Sequence, residues 1–265
     1  YSCGYFQGTD DLAEAQQITR AAGVKVAIID TGIDLDHPLF AGRLTNPQYD
    51  WVDNDNVPQD EMGGKGSGHG TFVAGLVTLA APDALIMPLR VFSSDGRATS
   101  FNLARAIRFA TDNGADVINM SFGLLQIDEL LRDALGYAYN RSILVAAAGN
   151  DNMGTLEYPA ANISKTISVG STNGADMRAP FSNYNKDLRA MAPGVLLYSV
   201  YPGGRWAWWS GTSFSTALVS AEAAQMLSVN VRLKRSDLYT IIATTGVKID
   251  DLNPGFAGTL GRRID

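Results

Sequence analysis

The stretch "VKVAIID", Val24 to Asp30, decides how the rest of the chain is read. It is a short apolar, β-branched run with no alternation of polar residues, the pattern of a strand buried on both faces. An amphipathic helix is expected before it from Asp10 to Ala22, with Asp10 as N-cap. After it, helix-like "GTFVAGLVTLA" (Gly70–Ala80) and strand-like "ALIMPLRVF" (Ala84–Phe92) alternate. A helix over about Ser100–Asn113, a strand at "ADVINMS", a helix over about Asp128–Tyr139 and a strand at "SILVAAAG" continue the series. Such alternation predicts right-handed crossovers onto a mostly parallel sheet with helices on both faces, an α/β three-layer sandwich. Beyond Asn150 the strands shorten, and two further helices are expected after Gly211 and over about Ser236–Thr244. No linker, repeat or low-complexity segment divides residues 1–265, which read as one domain.

Bulk composition narrows the function. The chain has 265 residues, 46% of them hydrophobic and 18% charged, with 27 glycines, which suits a compact, turn-rich enzyme. A net charge of −6 offers no electrostatic reason to bind nucleic acid or an anionic membrane. No apolar run reaches the length of a membrane span. The chain begins at Tyr1 without a methionine and reads as a processed or trimmed form. One cysteine, Cys3, cannot form an internal disulfide, and with two histidines it excludes zinc fingers by count.

In open α/β sheets, functional side chains gather at the carboxyl ends of the strands. Asp30 lies there, in "IIDTGID", where an Asx-turn is the plainer alternative. His69 stands between glycines in "GSGHGTFVAG", a setting that gives an imidazole no packing role. The other histidine, His37, precedes Pro38 in "DLDHPLF" and reads as a surface turn residue. In "WWSGTSFSTALVSA" (Trp208–Ala221) hydroxyls precede a buried helix. They can cap it, or one can act as a nucleophile once an imidazole takes its proton and a carboxylate orients that imidazole. No G-x-S-x-G elbow is present, so an α/β-hydrolase is excluded. A nucleotide-binding Rossmann protein is disfavoured because neither G-x-G-x-x-G after the first strand nor a P-loop occurs.

Five segments, "VAIIDTGID", "GHGTFVAG", "INMSFG", "AAAGN" and "SGTSFSTA", appear in the order and context of the subtilisin-like serine proteases, and the chain resembles that family from about Val24 to Leu227. The resemblance implies a serine endopeptidase with Asp30 as orienting acid, His69 as general base and Ser213 as nucleophile. Ser215 fits less well, because the family's nucleophile is the serine of "GTS". It also implies that Asn150 and the backbone N–H of Ser213 form the oxyanion hole; in subtilisin, losing that asparagine costs roughly 3–4 kcal/mol of barrier. Peptide substrate would lie as an added strand between extended backbone at Gly96, Arg97 and Ala98 and at Ser121, Phe122 and Gly123. Ala147, Ala148 and Gly149 would wall the pocket for the residue before the scissile bond, with Glu157 on its floor favouring Lys or Arg.

The chain departs from the family's usual "GTSMAAPH" at Phe214, Ala217 and Leu218, and Phe72 replaces the second histidine of "HGTHVAG". The calcium loop often inserted after the catalytic histidine is absent from "LVTLAAPDALIMPL". "DWVDNDNVPQD" instead resembles the calcium loop of thermitase-type members, which implies structural Ca²⁺ held by Asp50, Asp53, Asp55, the Val57 carbonyl and Gln59. By resemblance the enzyme is expected to be secreted, with intracellular peptide processing as the alternative. Its partners are expected to be peptides or proteins, its own propeptide among them. A catalytically silent peptide-binding relative is the rival reading, and it has no chemical need for the full Asp/His/Ser/Asn set.

Overall fold

The computed structural model describes residues 9–265; Cys3 lies outside them. The run that opens the reading becomes β1 (Lys25–Asp30), flanked in the same sheet by β3 (Leu85–Arg90) and β4 (Val117–Met120). Outward from β4 lie β5 (Ile143–Ala147), β6 (Ile167–Thr172), β7 (Ala190–Pro193) and the two-residue β10 (Arg262–Arg263). Beyond β3 lies β2 (Tyr49–Asp50). The eight strands run in the order β10-β7-β6-β5-β4-β1-β3-β2, and every pairing between them is parallel.

Strand periodicity sorts the core into two layers. Val26 and Ile28 face the helices α2 (His69–Ala80), α5 (Thr212–Val229) and α6 (Arg235–Thr245), while Ala27 and Ile29 face α3 (Ser100–Asp112) and α4 (Glu129–Tyr139). This is the expected three-layer sandwich. α5 is buried over most of its circumference, which explains why its sequence carries no polar stripe. The first helix, α1, spans Thr9–Ile18, so Asp10 lies inside its first turn instead of capping it, and the chain has left the helix before Ala22. A hairpin outside the main sheet, β8 (Leu197–Tyr201) with β9 (Arg205–Trp209), leads directly into α5.

This topology brings β1, α2 and α5 together. Gly70, in the first turn of α2, allows the approach: a Cβ there would lie 2.1 Å from the Gly32 carbonyl oxygen and 3.0 Å from the Asp30 Cβ.

Candidate active site

Asp30 ends β1 and is buried; its Oδ1 accepts the Thr31 N–H at 2.8 Å and pairs with His69 Nδ1 at 2.7 Å. His69 is the first residue of α2, with 21% of its side chain exposed. Burial works to lower its pKa, but the charge and hydrogen bond of Asp30 and the charge of Asp60 overcome this and leave it raised. The imidazole is therefore oriented by a carboxylate through one nitrogen, which fixes its tautomer for chemistry at the other. Trp209 and Phe214 wall the ring at centroid distances of 5.7 and 5.5 Å, and Phe72 packs behind Phe214 at 4.6 Å.

Ser213 occupies the second position of α5, where backbone N–H groups have no partner within the helix. Its hydroxyl donates to the Ser121 carbonyl at 3.1 Å instead of to His69. The Ser121 hydroxyl in turn donates to the Ser213 carbonyl at 2.8 Å. Asn150 follows β5, and its Oδ1 accepts from both the N–H and the hydroxyl of Thr212 at 2.9 and 3.0 Å. The Thr212 N–H can only donate, so it fixes that end of the amide as oxygen and leaves the NH₂ for another acceptor. Ser215 is fully buried and donates to the Ala192 and Pro193 carbonyls, a packing role. His37 caps a short 3-10 turn through Nδ1, as its sequence suggests, yet it is buried between Phe40 and Trp206 and not at the surface.

The expected substrate edges differ in conformation. Ser121, Phe122 and Gly123 continue from β4 without turning into a helix, and Leu124 pairs with Tyr158 as an isolated bridge. Gly96 is not extended; at φ 77° it closes a turn in which Ser93 N–H donates to the Arg97 carbonyl at 3.0 Å, and Ala98 follows it. Ala147 ends β5; Ala148 accepts from the Glu157 N–H at 3.0 Å, and Gly149 has φ 112°. Glu157 reaches into the gap between these walls. A Cβ on Gly123 would lie 1.5 Å from its Oε2, and one on Gly149 2.7 Å from its Oε1. Burial, with a hydrogen bond to Asp151 and the charge of Asp151 adding to it, pushes the Glu157 carboxyl up to about 7.

The acidic loop does not converge on one centre. Asp50 and Asp53 hold the guanidinium of Arg90 at 2.8 and 2.6 Å, and Glu61 holds its other end at 2.6 Å. Asp55 Oδ1 accepts the Val57 N–H at 2.8 Å, and Gln59 Oε1 accepts the Leu35 N–H at 3.2 Å. Among the described residues no group of three or more His, Cys, Asp or Glu side chains is placed to hold a metal. As folded, the Arg90 guanidinium takes up the charge of Asp50 and Asp53, and backbone N–H groups take up one oxygen of Asp55 and that of Gln59, so the donors expected for Ca²⁺ are turned to partners within the chain. An arginine inside the apolar run "LIMPLRVF" is the signal that sequence reading passed over.

Residues 21–259 match the model of the subtilase family. The chain belongs to that family. Thermitase of Thermoactinomyces vulgaris is 38% identical over 247 residues, covering 89% of this chain and 85% of thermitase. A cell wall-associated protease of Bacillus subtilis (strain 168) is 35% identical over 239 residues, covering 86% of this chain but 26% of that protein. Among solved structures, a cold-adapted subtilisin-like serine proteinase superposes with a TM-score of 0.81 at 31% identity, covering 91% of this chain and 89% of the other. The subtilase chain is thus a subtilisin-like serine endopeptidase, and its substrates are peptides or proteins. Among the described residues no helix is long and apolar enough to cross a membrane.

Proposed function

We propose that this subtilase cleaves peptide bonds with Ser213 as nucleophile, His69 as general base and acid, Asp30 as orienting acid, and Asn150 with the Ser213 N–H as the oxyanion hole. The observation that carries the reading is the 2.7 Å Asp30–His69 pair at the mouth of the α5 N-terminus that bears Ser213. Substrate lies along Ser121–Gly123, with Arg97 and Ala98 on the opposite side. The Ser213 hydroxyl turns from the Ser121 carbonyl to the imidazole, gives up its proton there, and its oxygen attacks the scissile carbonyl. The resulting oxyanion accepts from the Asn150 NH₂ and the Ser213 N–H, at the positive end of the α5 dipole. His69 then protonates the leaving amine, and water hydrolyses the acyl-enzyme by the same route in reverse.

Labelling with a serine-directed phosphonate, followed by peptide mapping, tests this assignment. Modification at Ser213 that requires His69 is the expected result. Labelling at another serine moves the nucleophile there, and no labelling of folded protein removes Ser213 from that role; either result overturns the assignment.

Glu157 supplies specificity in this reading. Its carboxyl, at about 7, loses its proton as pH rises through neutrality and then attracts a cationic side chain before the scissile bond. The ratio of kcat/KM for Arg over Leu peptides is expected to climb between pH 6 and 8 by roughly fivefold, about 1 kcal/mol for a part-exposed ion pair. Glu157→Gln should flatten that climb; a flat wild-type ratio removes Glu157 from the pocket. Residues 1–265 act as one catalytic unit, outside the cell, with the chain's own propeptide as a further partner and no nucleic-acid or membrane partner. The cell wall-associated relative supports that location.

A further inference from the structure

Behind the Asp30–His69 pair lies a second buried carboxylate, Asp60, that the proposed reaction does not use. It is 3% exposed, and each of its oxygens accepts two hydrogen bonds. Oδ1 accepts from the Gly68 N–H at 3.0 Å and the Thr31 hydroxyl at 3.2 Å. Oδ2 accepts from the Thr71 N–H at 3.1 Å and the Thr71 hydroxyl at 2.6 Å. Gly68 is the N-cap of α2 and has no side chain with which to satisfy the helix's first N–H groups, so Asp60 does this from eight residues upstream.

The two hydroxyls form a reciprocal clamp. Thr31, next to Asp30, accepts the N–H of Gly70 at 3.0 Å; Thr71, two residues after His69, accepts the N–H of Asp34 at 2.9 Å. Each therefore bonds the backbone of the opposite segment, and each has its proton committed to Asp60. A hydroxyl can rotate, and it presents a lone pair to a fixed N–H only while its proton points elsewhere. With a carboxylate, all four incoming groups are donors and all four are accepted. With an amide at the same place, one of the two atoms becomes a donor facing donors.

We propose that Asp60 is a positioning residue of the reaction, registering the His69 end of α2 against the Asp30 end of β1 through Thr31 and Thr71. The proposal rests on the triad reading given above. Burial pushes the Asp60 carboxyl up to about 6, so above that pH it is charged and, with Asp30, favours the cationic form of the imidazole during proton transfer.

Two variants test it, with the folded fraction followed by circular dichroism and active sites counted with the phosphonate. Asp60→Asn should lower kcat by roughly 10- to 100-fold, as small misplacements of a base do, with KM within about twofold. It should also move the acid limb of kcat/KM to lower pH, because the imidazolium loses a negative neighbour. Thr31→Val removes the Thr31 arm of the clamp, the one that bonds Gly70 beside His69, but keeps the charge, so kcat should fall with the acid limb left in place. Asp60→Asn with wild-type kcat and an unmoved acid limb, whatever its melting temperature, reduces Asp60 to a helix cap and overturns the proposal. Should Asp60→Asn not fold, wild-type kcat in Thr31→Val overturns it equally. Wild-type protein that the phosphonate fails to label at Ser213 would instead strike at the triad reading.

Discussion

Ser213→Ala should abolish turnover, lowering kcat by about six orders of magnitude, the loss that removing the nucleophile causes in subtilisin. At the α5 N-terminus the Thr212 hydroxyl is held by Asn150 and the neighbouring Ser215 by the Ala192 and Pro193 carbonyls, which leaves the Ser213 hydroxyl, bonded only to the Ser121 carbonyl, as the group free to turn. The variant should keep its melting temperature, because Ser213 Oγ makes a single hydrogen bond, to Ser121, and the reverse bond from the Ser121 hydroxyl to the Ser213 carbonyl survives. Peptide affinity should also survive, since binding along Ser121–Gly123 does not involve the hydroxyl. Initial rates measured alongside inhibition by a bound, uncleaved peptide give both quantities. Residual activity above about one per cent would mean that another group performs the attack.

Arg90→Met should destabilise the protein more than any other substitution considered. Arg90 has a side chain only 2% exposed and neutralises the fully buried Asp50 together with the half-exposed Asp53 and Glu61. Burial acts against the guanidinium's charge, but its hydrogen bonds to Asp50 and Asp53 and the charges of Asp50 and Glu61 hold its pKa above the ordinary value. Removing the cation strands Asp50 in the interior, at a cost of about 3 kcal/mol, the low end for a broken buried pair because two partners reach solvent. For a chain of this size that lowers Tm by roughly 6–12 °C. Thermal melts should show this fall, and wild-type Tm should be unchanged by a calcium chelator. A chelator-sensitive wild-type Tm would restore Ca²⁺ as the ion that the loop "DWVDNDNVPQD" holds.

The sheet was legible because burial on both faces leaves a plain mark in sequence. Runs such as "VKVAIID" and "SILVAAAG" keep their polar residues near the ends and alternate none toward a solvent face, and the helices between them are separated by turn signals. The family motifs were legible for a related reason: Gly70, for instance, admits no Cβ against Gly32 and Asp30. Asp10 was misplaced as a cap because Thr9 begins the helix one residue earlier, and acidic residues are favourable throughout a first turn. Family resemblance implies an extended Gly96, whereas only a positive φ closes the turn it occupies.

The sequence by itself determined the layered architecture, the family, and the candidates Asp30, His69, Ser213 and Asn150, since each depends on local composition or a contiguous motif. The tertiary structure alone decided where charges and hydroxyls find their partners. Arg90 lies 40 residues from Asp50, and Asp60 gathers Thr31 from 29 residues upstream and Thr71 from 11 downstream. Whether an acidic loop meets a metal or a guanidinium, and whether an aspartate is solvated or holds a helix start, depends on which distant side chains the crossovers deliver. Coulomb attraction and hydrogen bonding act over a few ångströms of space regardless of separation along the chain, so linear spacing carries no record of them.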